Sequence, residues 1–301
     1  MNQKNIKGHL TAIFTIFVWG TTFVSTKKLL AFLQPIEILF LRFFIGYFTL
    51  WLLKPKVAPH FSFKKEKYFM LAGITGITLY YLCENVALLY TSASNLGVIV
   101  SVAPFFTALF AMIFFKEKKP TIYFMAGFVM AIIGIAILSF AGSKGVSFNP
   151  LGDFLGLMAA VIWAIYSIIT KKISEFKVPI ILATRKVFAY GLLFMLPVLF
   201  FSKPSFDLTV ITQLAVLTHL LYLAIGASAI CFVTWSFTIN TLGAVRASVY
   251  IYGVPVVTII ASVLFLNETL TSAIAIGTLF TLAGLLISEK QPKEALQETI
   301  E

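Results

Sequence analysis

Charge is scarce in this chain. Only 12% of its 301 residues are Asp, Glu, Lys or Arg, and the acidic ones number 12 against 23 basic ones. A soluble domain carries about 25% charged residues and roughly 45–50% apolar ones. Here 59% are hydrophobic, and the mean hydropathy is +0.97. No water-soluble fold of this length hides so much apolar surface, which excludes a soluble enzyme, a nucleic-acid binder and a disordered scaffold. Cysteine is almost absent: Cys83 and Cys231 both lie inside apolar runs, so neither a disulfide framework nor a metal site is expected. His9, His60 and His219 show no ligand spacing. No phosphate-binding Gly-Lys loop occurs, and no paired acids or Ser/His pair fall at membrane depth, so neither ATP-driven work nor catalysis is expected, and no cofactor.

What the chain does have is long apolar runs, over 8–29, 36–53, 68–90, 94–115, 121–140, 152–172, 179–201, 210–238, 243–266 and 271–288. A bilayer span needs about 20 apolar residues, and only helices or closed barrels satisfy the backbone in lipid. The runs are twice a barrel strand's length and do not alternate, so ten transmembrane helices are expected, an all-α integral membrane protein. Lys4 and Lys7 precede the first run as in a signal sequence, but no small-residue cleavage site ends it, so it reads as the first span. The net charge of +11 then serves orientation. With the N-terminus in the cytoplasm, fifteen lysines fall on the inner side. Four, Lys27, Lys28, Lys144 and Lys203, fall on the outer side. The positive-inside rule therefore predicts a multi-pass plasma-membrane protein with both termini cytoplasmic.

The two halves match. Gly8, Trp19, Thr26, Lys27 and Lys28 recur 144 residues on as Gly152, Trp163, Thr170, Lys171 and Lys172. Arg42 and Tyr47 recur as Arg185 and Tyr190, Pro104, Thr107, Phe114 and Glu117 as Pro255, Thr258, Phe265 and Glu268, and Gly127 and Gly134 as Gly277 and Gly284. The order never breaks. The domain expectation is one five-helix unit over 8–140, a second over 152–288, and a polar cytoplasmic tail over 289–301. An odd number of spans per unit inverts the second relative to the first, the topology of secondary transporters.

The first copy, TSASNLGVIVSVAPFFTALFAMIFFKEK followed by AGFVMAIIGIAIL, and the second, TLGAVRASVYIYGVPVVTIIASVLFLNETL followed by IGTLFTLAGLLI, carry a family pattern. Small residues lead into a helix with a mid-span proline, a helix-end glutamate follows, and a Gly-x6-Gly helix closes the half. In this the chain resembles the drug/metabolite transporter superfamily, specifically its EamA-type ten-helix permeases, over about residues 8–288. The resemblance implies a central cavity between the halves and secondary, non-ATP transport; it is nearly silent on substrate.

Candidate site residues follow from cost in lipid. Trp19 and Trp163 lie near mid-depth rather than in the interfacial belt where tryptophan usually sits, and Tyr80, Tyr81, Trp235, Tyr250 and Tyr252 add aromatic polar tips. Buried charge is costly and faces a cavity or a partner. Glu84 and Arg42 reach similar depth, so an ion pair between them is expected, with Asn85 and Asn95 extending the polar patch and Glu84 the proton-coupling or gating alternative. Arg185 and Lys186 leave the interior net positive, and the expected anion is a substrate carboxylate or phosphate, with helix-end snorkelling as the alternative. Pro104 and Pro255 free a carbonyl one turn earlier and are read as hinges or as packing kinks. Glu117 and Glu268 are each expected to meet the positive end of the helix that follows. The functional expectation is an alternating-access exporter of amino acids or related zwitterionic or anionic metabolites, with protons as the candidate coupling ion and no nucleic-acid partner. The alternatives are an importer of an organic cation held by Glu84 and an aromatic cage, and a non-transporting membrane receptor.

Overall fold

A computed structural model describes residues 3–56, 62–115, 121–140 and 150–288. Among these it is all-α. We number the long helices α1 (Gln3–Leu29), α2 (Pro35–Leu53), α3 (Phe63–Tyr90), α4 (Ala93–Phe114), α5 (Ile122–Phe140), α6 (Pro150–Ser174), α7 (Ile180–Ser202), α8 (Leu214–Leu242), α9 (Ala244–Leu266) and α10 (Ser272–Ser288). Eight of them are long and apolar enough to cross a membrane; α5 and α10 supply the shorter apolar stretches. At 17 residues α10 stands at the lower limit for a span, about 17–25 residues. The charged run Lys64–Lys67 lies inside α3 rather than before it, because a helix end tolerates lysines whose stems reach past the apolar zone.

The side chains sort by solvent. Phe17, Phe114, Phe200, Phe201 and Leu279 point outward and are more than 60% exposed, the face a bilayer covers. Hydroxyls point inward: Thr15 and Thr11 of α1 bond Thr234 and Thr238 of α8 at 2.7 and 2.9 Å. Such contacts join helices where no hydrophobic driving force acts between them. Pro35 opens α2, and Glu37 closes a capping box by accepting from the Gln34 N–H at 2.8 Å. The other Glu37 oxygen accepts from the Ser205 and Phe206 amides at 2.8 and 3.0 Å, pinning the segment after α7 to the start of α2.

Two segments widen into π-helix, Gly73–Leu79 in α3 and Tyr222–Ile230 in α8, about 150 residues apart as the repeat requires. Such turns are rare and frequent at functional sites. The α8 segment packs on α2, with Gly46 set against the Ala224 carbonyl; the α3 segment packs on α7, with Gly73 against the Gly191 amide and Thr78 Oγ1 donating to the Gly191 carbonyl at 2.9 Å. The prolines also act alike. Pro104 follows a break of α4 at Ser101–Val102, and Pro255 follows a 3-10 stretch at Val249–Gly253. The expected kinks are thus interruptions of the helix.

Candidate functional site

The centre of the bundle is an aromatic box. Trp19 of α1 meets Trp163 of α6 edge to face at 5.1 Å and Trp235 of α8 at 5.1 Å; Tyr80 of α3 lies 4.7 Å from Trp163. These rings enclose a cavity of about 30 Å³ whose walls include Trp19, Tyr80, Tyr81, Glu84 and Trp163, more than the roughly 10–15 Å³ a single water needs. Thr22, Phe23, Val100, Ile251 and Val254 complete it, the last three just ahead of Pro104 and Pro255, so the helix interruptions border the cavity.

Polarity inside the box is incompletely matched. The Trp19 indole N–H donates at 2.9 Å to the Ala227 carbonyl in the widened turn of α8, but the Trp163 and Trp235 indole nitrogens have no partner. Glu84 is 2% exposed; the Tyr80 hydroxyl bonds its carboxylate, and Oε1 is left unpartnered. Buried polar groups in native proteins are nearly always satisfied, so each of these exceptions calls for an account.

The structure does not join Arg42 to Glu84 as expected. Arg42 Nε donates to Ser228 Oγ at 2.6 Å, Nη2 to the Tyr81 hydroxyl at 3.2 Å, and the guanidinium lies over the Tyr81 ring at 4.1 Å. Its Nη1 is unpartnered. The Ser228 hydroxyl in the widened turn and the Tyr81 face capture the cation before it reaches the carboxylate.

Arg185 and Lys186 also depart from expectation. They stand where α1 begins, the N end of the bundle. Arg185 donates to the Lys54 carbonyl at 2.8 Å and to that of Lys56. Lys186 pairs with Glu66 at 2.8 Å, which also accepts from the Tyr190 hydroxyl at 2.5 Å. The anion sought for them is carried by the chain itself, and the motive for a purely anionic substrate falls away. Tyr250 contacts His9 near the same end. Asn85 and Asn95 lie at the opposite end: Asn85 donates to the Pro35 carbonyl at 3.2 Å and Asn95 to Asp153 at 2.7 Å.

That opposite end is tied shut. Glu268 accepts from the Ala93 and Ser94 amides at 2.9 and 3.2 Å and from the Ser94 hydroxyl at 2.6 Å. It therefore meets the positive end of α4 in the other half, not that of α10 as expected; the chain turns just before it at Asn267, a left-handed residue (φ 53°). Its counterpart Glu117 lies outside the described residues. Lys27 donates to the Thr91 carbonyl at 3.0 Å and to that of Leu88. The N end is open by contrast. A vestibule of about 620 Å³ there is lined by Tyr166, Thr170, Thr184, Ser236 and Asn240, with Ser174, Glu175 and Lys177 and apolar residues completing its walls. Gly8, near the start of α1, packs on Thr241 and Leu242 beside it.

Tyr166 separates vestibule from box. It lines the first and meets Trp163 at 5.0 Å and Phe232 at 5.9 Å. Its ring rests on Gly76, where an added Cβ would come within 2.2–2.6 Å of ring carbons. Gly76→Ala is expected to unseat Tyr166, at about 1–3 kcal/mol of stability for overpacking. In a Tyr166→Ala background Gly76→Ala should cost little further in thermal unfolding, since residues in contact are non-additive. Neither Tyr166 nor Phe232 is among the sequence candidates, although each stands three residues, one helical turn, from a tryptophan that is. The carbonyl of Ala227 had no signal in the sequence.

These features define a polytopic membrane protein with a guarded central cavity, a transporter rather than an enzyme. The EamA-like transporter family matches the chain twice, over residues 6–140 and 150–289, and the chain belongs to that family, whose members move small metabolites across the membrane. An uncharacterized transporter of Archaeoglobus fulgidus is 27% identical over 94% of this chain and 98% of its own length. A Salmonella typhimurium protein named "Probable amino-acid metabolite efflux pump" is 27% identical over 94% of each chain. A solved crystal structure shares the fold, with a TM-score of 0.66 at 19% identity over 98% of both chains.

Proposed function

We propose that this chain exports amino acids or related zwitterionic metabolites by alternating access. Its ten helices act as two inverted five-helix units in the plasma membrane, with the termini cytoplasmic. The observation that carries the reading is the small aromatic cavity with an unpartnered carboxylate oxygen, separated by Tyr166 from a vestibule that opens at one end of the bundle. A cavity of about 30 Å³ holds no amino acid, so in this state the box is collapsed and substrate waits in the vestibule. The chemistry suits a zwitterion: Glu84 Oε1 takes an ammonium, the Trp163 N–H offers a donor to a carboxylate, and the rings take an apolar side chain. The Salmonella typhimurium relative's name supports the class and the direction.

Protons are the coupling ion in this reading, with Glu84 their carrier. The titratable groups facing it are Arg42 from α2 and Tyr80 and Tyr81 from α3 itself. A second reading, an organic cation in the same box, is favoured by a lone carboxylate among aromatic faces, which attract cations. Counterflow in proteoliposomes decides. Exchange of labelled leucine or phenylalanine, accelerated by an imposed pH gradient, is the expected result. Exchange of tetramethylammonium with no effect of amino acids would establish the second reading instead.

A further inference from the structure

Helix α7 starts without a cap. Its first residue is Ile180, the Pro179 before it makes no side-chain capping bond, and its first turn carries no acidic residue. The first backbone bond of the helix runs from the Ala183 amide to the Pro179 carbonyl at 3.0 Å. The Ile180, Ile181 and Leu182 amides precede that bond and form the positive end of the helix. Elsewhere this chain meets such an end with a carboxylate of its own. Glu37 accepts from the Gln34 amide at the start of α2, and Glu268 from the Ala93 and Ser94 amides at the start of α4. At α7 the place is left to the vestibule, which Pro179, Ile180, Ala183 and Thr184 line.

Thr184 is a second, independent sign of a ligand. It stands one turn further along the same face, is 4% exposed, lines the vestibule, and has an Oγ1 without a hydrogen-bond partner. A helical threonine can donate to the carbonyl four residues back. Thr15, Thr49 and Thr107 do so at 2.7, 2.9 and 2.9 Å; Thr184 does not. A buried hydroxyl left in this way calls for an account. Charge at the mouth points the same way. Lys177 lines the vestibule, is exposed and makes no ion pair among the described residues, whereas Glu175 on the same rim is held by Lys172 at 2.6 Å.

We propose that the vestibule holds a carboxylate-binding site at the N-terminus of α7. The Ile180, Ile181 and Leu182 amides take the carboxylate, and Lys177 draws it in from solvent. Thr184 Oγ1, roughly 6 Å further along the helix axis, accepts from the N–H next to that carboxylate. An α-amino acid spans this interval with its carboxylate outward and its ammonium inward, toward Tyr166 and the Glu84 carboxylate beyond. The inference rests on the export reading above and names the group by which substrate is first held.

Isothermal titration calorimetry of the full-length chain in detergent tests the site, with N-acetyl-leucine and leucine methyl ester as probes. The first keeps the carboxylate and an N–H but has no ammonium; the second keeps the ammonium but has no carboxylate. Thr184→Val is expected to weaken N-acetyl-leucine binding roughly tenfold, and Thr184→Ser to retain it. Lys177→Glu is expected to weaken it roughly fivefold, an effect that salt reduces because the lysine is exposed. Binding of the ester is not weakened by Lys177→Glu. Lys203→Gln, at an exposed lysine just past the far end of α7, is the control and changes neither. N-acetyl-leucine that does not bind the unsubstituted chain, or that binds Lys177→Glu and Thr184→Val as tightly, overturns the site. Counterflow of labelled leucine in proteoliposomes separates that failure from a failure of the transport reading. Counterflow that runs while N-acetyl-leucine binding ignores both substitutions leaves transport standing without the site, and a responsive site with no counterflow does the reverse. Lys177 is exposed, so its reversal leaves the fold intact and decides the matter even where Thr184→Val does not fold.

Discussion

Gly284→Val is expected to destabilise the chain by about 3 kcal/mol or more, the upper range of overpacking. Helices α5 and α10 pack chiefly on each other and touch the rest of the bundle lightly, so their stability depends on one crossing. At that crossing a Cβ on Gly284 would lie 2.5 Å from the Gly127 carbonyl oxygen and 2.6 Å from the Ala131 amide; one on Gly134 would lie 2.6 Å from the Gly277 carbonyl. These neighbours are backbone, and backbone cannot rotate aside as a side-chain tip can. Small residues at such crossings let helices approach closely enough for dispersion to hold them in lipid. Gly226→Ala is the control, since its Cβ would meet only Tyr222 ring carbons at 3.6 and 3.7 Å, and a change within about 0.5 kcal/mol is expected. Thermal unfolding of both variants in one detergent makes the comparison. Equal midpoints would mean that α5 and α10 do not cross as described.

The membrane helices were legible because apolar length alone identifies them. The helix boundaries were less so: α3 starts among lysines at Phe63, since charge at a helix end does not interrupt backbone hydrogen bonding. Trp19, Trp163, Tyr80, Tyr81 and Glu84 were legible as candidates through their cost at mid-depth, and the structure gathers them around one cavity. Arg185 and Lys186 met the same criterion and are elsewhere. What distinguishes them is their partners: the Lys54 and Lys56 carbonyls for Arg185 and, for Lys186, Glu66, 120 residues before it and brought beside it by the packing of α3 on α7. Hydropathy gives depth in the membrane but not the rotation of a helix about its axis, and rotation decides whether a charge faces a cavity or a neighbour. The widened turns were illegible for a related reason. GITGITL and YLAIGASAI read as apolar helix, and the extra residue per turn appears only when helices pack.

Arg42 shows what such a turn contributes. Ser228 lies within it and accepts from Arg42 Nε, so the irregular turn of α8 holds the guanidinium away from Glu84. A direct Arg42–Glu84 bond would neutralise both groups and leave the box without a free charge. Held apart, each keeps an unsatisfied atom, and a zwitterion presents two groups of matching sign. This arrangement has little value for stability, since a buried charge lacking its counter-ion is costly.

Glu84→Gln therefore separates function from stability. The amide keeps the size of the carboxylate and can still meet the Tyr80 hydroxyl, so the fold is retained. An ionised group held inside the bundle by one hydroxyl and no ion pair is far costlier to bury than a neutral, hydrogen-bonded amide of the same size, and the midpoint of thermal unfolding is expected to hold or rise. Affinity for a zwitterionic or cationic substrate is expected to fall about a hundredfold, roughly 2.8 kcal/mol, within the 2–5 kcal/mol or more lost when one partner of a buried hydrogen-bonded charge pair is removed. Tryptophan fluorescence reports the binding directly, because Trp19 and Trp163 line the same cavity. A Glu84 that served packing alone would give the opposite pair of results, a lower midpoint with affinity unchanged. The two measurements on one variant thus distinguish a carboxylate that faces substrate from one that merely fills the bundle.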